Sequence, residues 1–190
     1  MPKIDEIYSF AFRGLLARQA TTNAHAPRCS SKAEQIITRL PFGLIDEAAV
    51  TRAKEMAVVY TAIAAFENIA REFIEKRLIE EVGDNWWSQC VPEKRRQKAE
   101  TRRDEENRIR WHAKRGDSLL QYTELEDLSA IIVTNHDHFV AIIEDLEWVK
   151  QIFKTVERSR NIIMHSGYLE PEDIERLGMA LRDWLAQVGG

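Results

Sequence analysis

From Asp46 to Gly83 the chain offers nothing that ends a helix. Asp46 suits an N-cap and Gly83 a C-terminal stop, and neither Pro nor Gly interrupts the residues between them. At 1.5 Å per residue a helix over 47–82 is roughly 50 Å long, typical of a bundle scaffold. Met56, Val59, Tyr60, Ile63, Phe66, Ala70, Phe73, Ile74 and Leu78 form its buried side. Other helices must cover that stripe. Only 8 Gly and 5 Pro occur in 190 residues, too few for a turn-rich β-fold, and 44% hydrophobic content supports one real core. The expectation is an all-α bundle with long antiparallel helices. Residues 1–45 read as an N-terminal helical extension and loop, and 46–190 as the main domain.

Punctuation places the remaining elements. Ile4, Ile7, Tyr8, Ala11 and Leu15 share one helical face over 3–19, and the aperiodic 20–30 with Pro27 reads as a loop that exposes His25. Ser31-x-x-Glu34 signals a short helix ending before Pro41. Trp86-Trp87 are expected to cap the bundle end, with base stacking as the alternative. Pro92 and Gly116 bracket a charged helix over 93–115. Thr123-x-x-Glu126 is a second capping box, before Leu125, Leu128, Ile131 and Ile132. Asn135 can cap a short helix and Asp145 a longer one. Glu170-Pro171 opens the last, docked by Ile174, Leu177, Leu181, Trp184 and Leu185.

Charge and cysteine usage narrow the function classes. The formal net charge is −4, so a nucleic-acid contact must come from a local patch. The best patch is 93–115, where ten cations face five acids. It is either a solvated face or a phosphate track with Arg102, Arg103, Arg110, Lys114 and Arg115 as RNA contacts; His112 reads as a surface residue. Cys29 and Cys90 lack metal-ligand spacing, and His136 and His138 fall on different helix faces, so no metal site and no cofactor is expected. No signal-peptide pattern opens the chain and no apolar run approaches a membrane span, so the expectation is a cytoplasmic chain without membrane contact.

One motif breaks the apolar pattern. Val149, Phe153 and Val156 form a stripe whose next position is Arg160, so a guanidinium occupies a place due to a core side chain. Buried unpaired it would be costly, and it needs an acid, a phosphate or a wet interface. Glu67 interrupts the stripe of 47–82 in the same way. Arg71 lies at i,i+4 for an ordinary helix pair; the alternative is that Glu67 meets Arg160 across the core. Asn161 follows Arg160, and His165 closes the run. Ser166-Gly167 reads as the stop, with Gly167 free to take the left-handed C′ position. Positions five apart differ by roughly 140° on a helix, so Arg160 and His165 share a face only if the last turn unwinds. The plainer reading is an edge arginine paired with an acid and a histidine that complements its helix C-terminus.

The order Glu67-x-x-x-Arg71-x-Phe73-Ile74, then Trp86-Trp87, a charged helix, Tyr122 to Ile132, and Arg160-Asn161-x-x-x-His165-Ser166-Gly167 resembles the HEPN superfamily, and within it the Swt-one-like HEPN domain. The likeness covers about residues 50–185. It implies a helical homodimer whose Arg-x4-His motifs face each other, often a metal-independent endoribonuclease of toxin–antitoxin or phage-defence systems, with RNA and an antitoxin or defence protein as partners. In that reading His165 transfers protons during attack by the ribose 2′-OH, Arg160 stabilises the phosphorane, Asn161 orients the phosphate or the histidine, and Glu67 positions Arg160. The alternative is a non-catalytic HEPN module that binds RNA, a nucleotide or a partner protein.

Overall fold

The computed structural model describes residues 31–189, and within them the chain is all α. The helix expected over 3–19, the loop 20–30, His25 and Cys29 lie outside the described residues. The chain divides into two units, Met1–Val50 and Thr51–Gly190. The first contains α1 (Ser31–Arg39), a 3-10 turn at Phe42–Leu44 and the start of α2 (Glu47–Val82). The second holds the rest of α2, then α3 (Trp86–Cys90), α4 (Glu93–Arg108), a 3-10 turn at Leu119–Tyr122, α5 (Leu125–Thr134), α6 (His136–Phe139), α7 (Leu146–Met164) and α8 (Pro171–Val188). Among the described residues no helix is long and apolar enough to cross a membrane.

The helix ends show how local chemistry divides the chain. Asp46 Oδ2 accepts from Ala49 N–H at 3.0 Å, and Gly83 stops α2 at φ +84° while its N–H donates to Ile79 O. Asp145 caps α7 by accepting from Glu147 and Trp148 N–H, and Pro171 sits in the first turn of α8 beside Glu172 and Asp173.

Two expected boundaries move. The charged helix ends at Arg108 rather than running through 115, because Glu106 captures the chain beyond it: Oε2 accepts from Arg115 N–H at 3.1 Å and Oε1 lies 2.7 Å from Arg115 Nε. The cap of α5 is Glu124, one residue after the expected Thr123, and Asp127 Oδ2 accepts from Glu124 N–H at 3.0 Å. Thr123 is buried instead, with its hydroxyl donating to Leu120 O.

One face of α2 supplies the core: Ile63, Phe66, Ala70, Ile74 and Leu78 are buried, with Val59 and Phe73 against them. Tyr60, expected among them, is exposed. Trp184 of α8 is the fully buried hub. Its ring lies 5.2 Å from that of Phe153, 5.6 Å from Phe66 and 5.8 Å from Phe73, all edge-on, and stacks with Trp148 at 6.0 Å. These contacts tie α2, α7 and α8 into one body. Trp86 is buried, Trp87 is partly buried and perpendicular to it, and Asn135 Nδ2 donates to Cys90 O, so α3 seals the α5 side of this core. Leu185, expected to dock α8, is exposed, and Ala180 takes a buried place.

The hub generates a stability expectation. Trp184→Ala should cost about 3–5 kcal/mol in urea unfolding, the range for truncating a core aromatic, whereas Leu185→Ala should stay within about 0.5 kcal/mol. Because Trp184 Nε1 is buried without a partner, Trp184→Phe should cost less than Trp184→Ala; equal losses would contradict the packing role of the ring.

Candidate functional site

Glu67 and Arg160 interrupt the apolar stripes of α2 and α7, and they meet. Arg160 Nε lies 3.1 Å from Glu67 Oε1, while Glu67 Oε2 accepts from Arg71 at 3.5 Å. The structure therefore realises both pairings that the sequence left open. Neither arginine is well satisfied. The Nε–H of Arg160 is buried and points off the carboxylate, so the ion pair lacks an aligned hydrogen bond. The Nε–H of Arg71 is also buried without a partner. The other Arg71 contacts, to Glu67, Asn68 and Thr123 O, all lie at 3.5 Å, the weak limit of hydrogen bonding.

These groups open into a cleft of about 670 Å³ lined by Tyr60, Glu67, Asn68, Arg71, Arg102, Arg115, Gln121, Thr123, Glu124, Leu125, Glu157, Arg160 and Asn161. Four guanidinium groups here face three carboxylates. Arg102 reaches it while donating to Tyr122 O at 2.9 Å and pairing with Glu124. Lys98 also pairs with Glu124, at 3.0 Å, and this hydrogen bond, with the charge of Arg102, holds the Glu124 carboxyl below the ordinary range despite partial burial. Glu124 thus clamps α4 to the start of α5, and that contribution is lost as pH falls through its lowered titration.

The expected site residues separate into groups. Glu67, Arg160 and Asn161 line the cleft, as do Arg102 and Arg115 of the expected RNA contacts. Arg103 is a neighbour of Asp104 at 3.8 Å, and Arg110 and Lys114 are exposed beyond α4. Much of the charged helix is structural, because Arg95 pairs with the buried Asp127 and Arg96 donates to Ser88 O.

His165 is not among the lining residues. α7 stays helical through Met164, and His165 is its exposed C-cap. The last turn does not unwind to bring it round to Arg160. Gly167 N–H donates to Ile162 O at 2.8 Å and Ser166 N–H to Ile163 O at 2.9 Å, a Schellman closure. The left-handed residue is Ser166, at φ +60°, rather than Gly167. Gly167 is needed for a different reason: a Cβ there would lie 2.8 Å from Ile162 O. A serine held in that conformation beside the motif is stored strain.

Glu157 escaped the sequence reading, although it lies three and four residues before Arg160 and Asn161 and hence on their side of α7. Burial pushes its carboxyl up, and Glu126, Glu124 and Asp127 add to the rise while Arg160 opposes it. Among the described residues no three His, Cys, Asp or Glu side chains assemble into a metal-holding group. Comparison of the chain with family models, with curated proteins and with solved structures gave no match.

The folded state binds the Glu157 proton more tightly than the unfolded chain does, so it loses stability as pH rises through the raised titration. Glu157→Gln removes that loss. The melting temperature of this variant should match wild type at about pH 3 and exceed it increasingly toward about pH 8. A difference independent of pH would show that Glu157 is not held in this acidic surrounding.

Proposed function

We propose that the chain is a HEPN-type, metal-independent endoribonuclease that cleaves RNA by attack of a ribose 2′-OH. The observation that carries the reading is the convergence of Glu67, Arg160 and Asn161 from two helices into one polar cleft, which Arg102 and Arg115 also enter. A phosphate in the cleft would meet guanidinium donors that the fold leaves poorly used, and the phosphorane formed by 2′-OH attack adds charge that Arg160 stabilises. Glu67 holds Arg160 in place, and Asn161 offers an amide to the phosphate. A toxin or defence setting with an antitoxin-like partner is the context that goes with this reading.

His165 takes the 2′-OH proton or protonates the leaving 5′-oxygen. Because His165 does not line the cleft of its own chain, this reading takes the histidine from a second copy. A two-fold dimer with α7 C-termini near the axis brings the His165 of one copy toward the Arg160 cleft of the other. The same exposed position favours a second reading, in which the cleft binds RNA without cutting it.

Purified wild type, His165→Ala and Arg160→Ala incubated with RNA in EDTA separate the two. The ribonuclease reading expects wild type to leave 2′,3′-cyclic phosphate ends and each variant to lose about 100-fold or more in rate. Cleavage should vanish on dilution to monomer. Binding without cleavage would establish the module, and 5′-phosphate ends with a magnesium requirement would overturn the mechanism.

A further inference from the structure

The loop between α4 and the Leu119–Tyr122 turn presents Trp111 to solvent, 86% exposed. Among the described residues it is the only exposed tryptophan, and it forgoes the burial that indoles usually obtain. The loop is tied down. Glu106 holds Arg115 by its backbone N–H and its guanidinium, Tyr122 OH donates to Gly116 O at 3.0 Å, and the Arg115 guanidinium lies over the Tyr122 ring at 5.8 Å. The His112 ring stands edge-on to Trp111 at 5.7 Å, and its Nδ1 is 3.0 Å from Ala113 O. The loop is thus anchored at Arg115 and Gly116 while its indole stays uncovered.

Its charge is one-sided. Between Arg108 and Arg115 there are four cations and no acid. Arg108, Arg110 and Lys114 are exposed and have no ion-pair partner among the described residues. Arg115 lines both a hollow of about 430 Å³ under this loop and the main cleft. Arg115 thus joins the cationic loop to the cleft that Arg160 lines.

We propose that Trp111 is a stacking platform for an unpaired nucleobase, so that the substrate is a single-stranded segment whose backbone follows Arg110, Lys114 and Arg115 toward the cleft. This rests on the RNA reading above and specifies its substrate class. Duplex RNA hides its base faces in its own stack, whereas any unpaired base offers a face to an indole. Phosphates flanking the stacked base meet the free cations.

The test is fluorescence anisotropy with a labelled, uncleavable 2′-O-methyl oligonucleotide of about ten nucleotides without structure, against a hairpin duplex. Wild type, Trp111→Ala and Trp111→Phe are compared over a range of salt. Trp111→Ala should weaken single-strand binding by about 5- to 100-fold, Trp111→Phe should recover most of it, the salt slope should stay unchanged, and duplex binding should not respond. If wild type binds the single strand and Trp111→Ala binds it equally, the platform is overturned while the RNA reading stands. If wild type binds neither probe, both fall. A Trp111→Ala variant that keeps its RNA affinity but no longer self-associates in sedimentation would make the indole a dimer contact and also overturn the platform.

Discussion

One carboxylate between two guanidinium groups organises the site. Glu67 is shared by Arg71 one turn along α2 and by Arg160 from α7, so among the described residues two positive charges have a single direct counter-charge. A closed ion pair in a protein interior gains little over apolar packing, and a shared one leaves donors unused. The unused donors are visible in the partnerless Nε–H groups of both arginines. The cleft is a site held slightly short of anions, and more so when Glu157 carries its proton.

That imbalance is sustained by the apolar packing around it. Ile63, Phe66 and Ala70 flank Glu67 on α2, Val156 and Phe153 precede Arg160 on α7, and Trp184 locks both helices from α8. Tight packing lets the two side chains occupy stripe positions without the helices shifting to satisfy them. The clamp of Lys98 and Arg102 on Glu124 completes the opposite wall and fixes α4, whose end then projects the cationic loop. Packing, ion pairing and the placement of free charge are thus successive consequences of the same helix register.

What the sequence revealed was mainly local or periodic. Asp46, Gly83, Asp145 and Pro171 act within one helical turn, so the bounds of α2 and the starts of α7 and α8 could be read directly. The end of α4 could not, because it depends on Glu106 reaching Arg115 nine residues on, which leaves no periodic trace. At α5 both Thr123 and Glu124 can cap, and the burial of Thr123 decides between them. At the end of α7 glycine was the obvious left-handed residue, yet the close approach to Ile162 requires Gly167 while Ser166 takes the positive φ. Glu67 and Arg160 were legible because they break apolar stripes. Glu157 was legible in principle from its spacing to Arg160, but its character comes from the acids of α5, which only the tertiary fold brings near.

In the proposed ribonuclease reading, RNA phosphate engages the arginine pair bridged by Glu67. The side-chain Nε–Hε resonances of Arg71 and Arg160 report this directly, since both groups lack a hydrogen-bond partner in the free protein. On titration with a 2′-O-methyl oligonucleotide, both resonances should shift together to saturation, while that of Arg176, paired with Asp173 on α8 and not lining the cleft, should stay in place. Saturated RNA binding that leaves Arg71 and Arg160 unmoved would rule out engagement of phosphate by this pair.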